Sequence, residues 1–263
     1  MKVHETTSGK SNSKADMAIS AIFGKLKVNI DFSFVGLKNL CLMVTSSLPN
    51  EGKTTISANT AAAMAASGKK TLLLDADMRN ATIHLLFNYV NANGLSDIIS
   101  QNADWRQYLI KSNIPNLYII TAGRKPLNTT KFVSSERFKT FIEEIRTEFD
   151  YIVVDTPPIL LVPDSQIISP LCDGVVLVVK SGVTTAAEVK SAGEALKRAN
   201  ANLIGAVLNN VKVKGGSYGY GYGYGYGYGY GYGYGEGNAN NARRAVDTKP
   251  PKKGKASKLV EKK

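Results

Sequence analysis

Lys53 and Thr54 fall near the end of the stretch "SSLPNEGKTT", which follows the apolar run "LCLMV". A tight glycine-containing loop, a lysine and a hydroxyl in that order suit phosphate chemistry. Loop N–H groups wrap phosphate oxygens, the lysine reaches the outer phosphates, and the hydroxyl ligates Mg²⁺. Ser47, Pro49, Asn50, Glu51, Gly52, Lys53, Thr54 and Thr55 are therefore the candidate nucleotide contacts. The full pattern asks for glycine where Ser47 stands, so the match is to its second half. The loop nonetheless lies between an apolar strand and an alanine-rich helix, the context that the mechanism requires.

Two further stretches carry carboxylates at the ends of apolar runs. In "LLLDADMR", Asp75 and Asp77 are two residues apart, so strand periodicity points both to one side. Arg79 follows them, suited either to charge on a transferring phosphoryl group or to a structural ion pair. In "YIVVDTPP", Asp155 ends a buried run and has the Walker B form that holds Mg²⁺, directly or through water. Lys53, Asp75 and Asp77 are the catalytic candidates; Thr54, Asp75, Asp77 and Asp155 are the metal candidates.

These residues need a scaffold that brings strand ends together. "LCLMVTSS", "KKTLLLDAD", "NLYIITAG", "YIVVDTPP", "GVVLVVKSG" and "NLIGAVLNN" read as six strands without polar alternation. Between them, "SSERFKTFIEEIRTEF" puts Phe138, Phe141, Ile142 and Ile145 on one helical face, and "TTAAEVKSAGEALKRAN" reads as another helix. Gly68 is placed to end the helix that follows the phosphate loop. The expected fold is α/β: a mostly parallel sheet flanked by helices on both faces, with ligands at the carboxyl ends of its strands.

Composition narrows the class. Cys41 and Cys172 both sit in apolar surroundings, which predicts buried thiols, no disulfide framework and an intracellular chain. The apolar runs fall well short of the roughly 20 residues that a membrane-spanning helix needs, and the N-terminus lacks a signal-peptide core. Half of the +12 net charge comes from Glu236 onward, where nine basic residues face three acidic ones. A disordered basic tail of this kind is suited to a membrane surface, and no nucleic-acid partner is expected.

Together the motifs "SSLPNEGKTT", "DADMR" and "DTPP" resemble those of the bacterial tyrosine kinase family, the P-loop kinases tied to capsule and exopolysaccharide synthesis. The resemblance runs from about Ile19 to Val211 and implies ATP and Mg²⁺ as cofactors. It assigns Asp75 and Asp77 to the metal and to the incoming tyrosine, and Asn209 to the adenine. It also implies a split arrangement, in which a separate transmembrane protein that sets polysaccharide chain length activates a kinase lying against the inner face of the cell membrane. The expected organisation is a flexible N-terminus over 1–17, the kinase domain over 18–212, a Tyr-Gly tail over 213–237 and a basic disordered tail over 238–263. Partitioning and septum-site ATPases are the alternative, an ATP-binding switch with the tail as platform. Those carry a signature lysine where this chain has Leu48.

Family members end in a tyrosine cluster, and here Tyr218, Tyr220, Tyr222, Tyr224, Tyr226, Tyr228, Tyr230, Tyr232 and Tyr234 alternate with glycine. They are the expected autophosphorylation sites. One expected feature is missing. The family's ring-assembly motif, "E-x-x-R-x-x-R", is replaced by Ala21, Gly24 and Lys27, and Lys131 stands where a glutamate is usual in "PLNTTKF". Self-association is expected, but not by those ring salt bridges.

Overall fold

The computed structural model describes residues 14–211, with side chains from residue 17. The Tyr-Gly repeat and the basic tail lie outside the described residues. The described residues form seven strands: β1 (Leu40–Ser46), β2 (Thr71–Asp75), β3 (Ile110–Lys111), β4 (Leu117–Ile120), β5 (Tyr151–Asp155), β6 (Gly174–Lys180) and β7 (Leu203–Asn209). Their helices are α1 (Lys14–Ser33), α2 (Lys53–Ala66), α3 (Ile83–Leu86), α4 (Leu95–Ser100), α5 (Thr129–Val133), α6 (Glu136–Arg146), α7 (Asp164–Ile168) and α8 (Ala186–Arg198).

The strands make one sheet in the order β3-β4-β2-β5-β1-β6-β7. Every neighbouring pair is parallel except the antiparallel β3–β4 edge. Strand alternation divides the apolar residues between two cores. Cys41 and Met43 of β1 join Phe138, Phe141 and Leu196 on one face. Leu40, Leu42 and Val44 join Ile30, Ile56, Ala61 and Met64 of α1 and α2 on the other. Burial on both faces explains why these strands read as unbroken apolar runs.

Helix ends are set by local chemistry. Ser135 caps α6 by accepting from Phe138 N, and Phe138, Phe141, Ile142 and Ile145 all turn inward. Thr185 and Glu188 form a reciprocal capping box on α8. Beyond α2, Gly68 adopts a φ of 82°, the left-handed turn that ends a helix cheaply with glycine. The Cys41 and Cys172 sulfurs are buried free thiols 3.6 Å apart.

Two features differ from the sequence reading. β7 is an edge strand rather than a strand buried on both sides: Leu203 and Leu208 are 40% and 58% exposed. α1 begins at Lys14, ahead of the expected boundary at 18. On α1, Ala21 is exposed and Gly24 has open space around it. Lys27 is committed within the chain: it pairs with Asp31 at 2.7 Å and lies 5.8 Å above the Tyr151 ring. No helix among the described residues is long and apolar enough to cross a membrane.

Candidate active site

β2, β5 and β1 are neighbours, so their carboxyl ends converge on one point. Asp75 pairs in register with Asp155, and Val44 of β1 pairs with Asp155 from the other side. Beyond β1 the chain makes the phosphate-type loop. Asn50 and Gly52 take left-handed φ values of 60° and 93°, and α2 starts at once with Lys53. A Cβ on Gly52 would lie 2.2 Å from the Asn209 amide nitrogen, so only glycine fits there.

Lys53 is the centre of the charge arrangement. Its Nζ lies 2.7 Å from Asp77 Oδ2, 3.9 Å from Asp155 Oδ2 and 3.3 Å from Thr54 Oγ1. Burial alone would lower the Lys53 pKa, but Asp155 and Asp77 outweigh it and raise it, so the ammonium stays charged. Asp155 is fully buried. Burial pushes its carboxyl up against the pull of Lys53, while Ser57 Oγ lies 3.0 Å from its Oδ1. Asp75 is pushed well above its ordinary value by burial and then by the Asp155 charge.

The two aspartates of the "DAD" stretch do different work. β2 ends at Asp75, so the period of two stops there. Asp75 accepts from Asp77 N at 3.2 Å and from Ile83 N at 3.1 Å, folding the following loop around itself. Asp77 instead faces Lys53 and lines a cavity of about 300 Å³. Pro49, Asn50, Gly52, Thr54 and Thr55 form one wall of that cavity; Pro157, Pro158 and Leu161 form the other. Ser47, Glu51 and Asn209 stand behind the loop: Asn209 Nδ2 donates to the Glu51 carbonyl at 2.8 Å.

Arg79 is held in a bidentate pair. Its Nε and Nη2 donate to Asp164 at 2.8 and 3.1 Å, and Nη2 also donates to Thr130 at 2.9 Å. Sequence reasoning did not single out Asp164, Thr130, Ser57 or Thr82. The Thr82 hydroxyl lies 3.0 Å from that of Thr54 and also lines the cavity. A larger hollow of about 580 Å³ opens near Leu40 and Tyr151, at the amino ends of the strands. It contains none of the motif residues, so the smaller cavity is the candidate site.

The residues fit a nucleotide with a divalent cation. Asp155 Oδ2 is buried without a hydrogen-bond partner, with Lys53 Nζ 3.9 Å away, so it has an acceptor position free for a bound cation. Asp155, Asp77 and the Thr54 hydroxyl are hard oxygen donors of the kind that Mg²⁺ prefers, and would hold it if it binds here.

Residues 50–202 match the AAA domain family. The tyrosine-protein kinase YwqD of Bacillus subtilis is 39% identical over 195 residues, covering 74% of this chain and 82% of that protein. The tyrosine-protein kinase CpsD of Streptococcus agalactiae is 38% identical over 198 residues, covering 75% of this chain and 86% of that protein. Among solved structures, the kinase domain of the Escherichia coli tyrosine kinase ETK is similar with a TM-score of 0.72 and 31% identity, covering 77% of this chain and 80% of that one. Both the phosphate-type loop with its facing carboxylates and these likenesses lead to one assignment: the chain belongs to the bacterial tyrosine-protein kinase family.

Proposed function

We propose that this chain is an Mg²⁺- and ATP-dependent tyrosine autokinase whose acceptors are the phenols of Tyr218–Tyr234 on a second copy. The observation that carries this reading is the contact between Lys53 and Asp77 in a cavity walled by the phosphate-type loop. In that reading Lys53 exchanges Asp77 for the outer phosphates of ATP, and the loop N–H groups hold the rest. Mg²⁺, held by Thr54 and Asp155 with Asp77 at hand, would offset phosphate charge and orient the transferred group.

Transfer requires the phenol oxygen to bond to the terminal phosphorus, the bond to the leaving ADP oxygen to break, and the phenol proton to go elsewhere. A phenol with a pKa near ~10 is a poor nucleophile at neutral pH, so a carboxylate that takes its proton matters. Asp77 lines the cavity and Asp75 does not, which favours Asp77 for that role. Arg79 is held by Asp164 and Thr130 and also lines the cavity, so in this reading it braces the loop while its charge stays within reach of the phosphoryl group.

The family resemblance extends the proposal to capsule or exopolysaccharide synthesis, with a separate transmembrane chain-length protein as activator and the basic tail against the inner membrane face. Self-association would not use the family's ring salt bridges, because Ala21, Gly24 and Lys27 replace the residues that form them. Incubating the purified full chain with Mg-ATP and its activator, then mapping phosphosites, tests the reading. Phosphotyrosine within Tyr218–Tyr234 is expected; unmodified tyrosines alongside steady ATP hydrolysis would instead favour an ATP-driven switch.

A further inference from the structure

A loop that receives phosphates contains a carboxylate, Glu51, which by charge alone should repel them. The side chain does not face the cavity, whose lining includes Pro49, Asn50 and Gly52 but not Glu51. It is 2% exposed and fully engaged. Oε2 accepts from Leu48 N at 3.1 Å, and Oε1 accepts from the Thr184 hydroxyl. That hydroxyl in turn accepts from Lys180 N at 3.1 Å, and the Glu51 carbonyl accepts from Asn209. One residue thus joins the phosphate-type loop, the β6–α8 turn and the end of β7.

Asn50 and Gly52, on either side of Glu51, are both left-handed, which these two residue types tolerate, so the turn is locally permitted and Glu51 is what ties it to the rest of the fold. We propose that Glu51 is a latch and that Thr184 is its positioning residue, keeping the loop in its phosphate-receiving shape before any nucleotide arrives. The inference rests on the nucleotide-binding reading of this loop. Ordering is then complete before binding, so nucleotide affinity depends on a turn that never touches the nucleotide. Linkage makes the effect mutual: a bound nucleotide stabilises the β6–α8 turn by the same factor.

The test compares Mg-ADP affinity, by calorimetry on the full chain, for wild type, Thr184→Val and Thr184→Ser. Losing a hydrogen bond to a charged group should weaken binding about tenfold in Thr184→Val. Thr184→Ser, which keeps the hydroxyl, should restore it to within about twofold of wild type. Hydrogen exchange without nucleotide should speed up over Leu48–Gly52 in Thr184→Val and stay unchanged over α6. Wild type that fails to bind Mg-ADP would refute the nucleotide reading itself. Wild-type binding with an unaltered Thr184→Val affinity would refute the latch alone. Faster exchange across α6 as well would also overturn it, since the threonine would then serve folding generally.

Discussion

Asp164→Asn tests how the "DADMR" loop is held. Asp164 is 2% exposed, receives two N–H groups of Arg79, and accepts from the Thr130 hydroxyl at 2.6 Å. Asparagine keeps the size but loses the charge and turns an amide N–H₂ toward Arg79. Breaking a buried pair costs about 3–5 kcal/mol and a surface pair about 1 or less. The Arg79 side chain is 35% exposed and regains water, which places the expected loss at about 2 kcal/mol. For a domain of this size that lowers Tm by about 4–8 °C at pH 7. The pH dependence has a definite sign. Burial pushes the Asp164 carboxyl up, but Arg79 and Thr130 outweigh it and hold it below its usual value. Its contribution is therefore full above the ordinary carboxylate pKa of about 4 and is lost as pH falls through the lowered folded value. Thermal melts of both proteins between pH 7 and acid should show a gap that closes below about pH 4. A gap under about 1 °C at pH 7, or one that widens in acid, would refute the idea that Asp164 holds this loop through Arg79.

Further outcomes follow from other contacts. Gly52→Ala should remove ADP binding in calorimetry and destabilise the fold by about 1–3 kcal/mol, because φ is 93° and Asn209 occupies the space of the new Cβ. Tyr151 is half-buried and its hydroxyl donates to Asp31; desolvation first, and then Asp31, push its pKa up to about 12. The ultraviolet titration of wild type minus Tyr151→Phe should thus show one phenol ionising near 12, with the stability it gives lost only as pH rises through that value. In the tail, each phosphate adds about −1.5 to −2 charge, so nine would reverse the tail's surplus of basic residues. Self-association of variants with three, six and nine tyrosines should change stepwise in sedimentation; identical behaviour would exclude a graded effect.

The scaffold was legible where one physical signal dominated. Burial on both faces writes β1, β2, β4, β5 and β6 as apolar runs, and α6 and α8 show spacing and caps. β3 spans two residues and α3 four, too short to establish any period, and they are held by contacts from elsewhere. The exposure of β7 follows from its edge position, which composition does not encode. In the site, Lys53, Asp77 and Asp155 were visible because each lies at or just past the carboxyl end of a strand. Thr184 meets Glu51 across 133 residues, and a single threonine in a turn carries no signal of its own. Asp164 lay just past the "DTPP" stretch, but its partner Arg79 comes from another strand end. The shared direction expected of Asp75 and Asp77 failed because the strand stops between them.

The central claim is that the Lys53 site of one copy phosphorylates the tyrosines of another. Its most direct measurement mixes two such chains with Mg-ATP and the proposed membrane activator. One carries Lys53→Met and an intact repeat; the other keeps Lys53 but has phenylalanine at all nine repeat positions. Mass spectrometry should find phosphotyrosine between Tyr218 and Tyr234 of the Lys53→Met chain, and none when that chain is incubated alone. A Lys53→Met chain that stays unmodified beside an active partner, or that labels itself without one, would contradict the account.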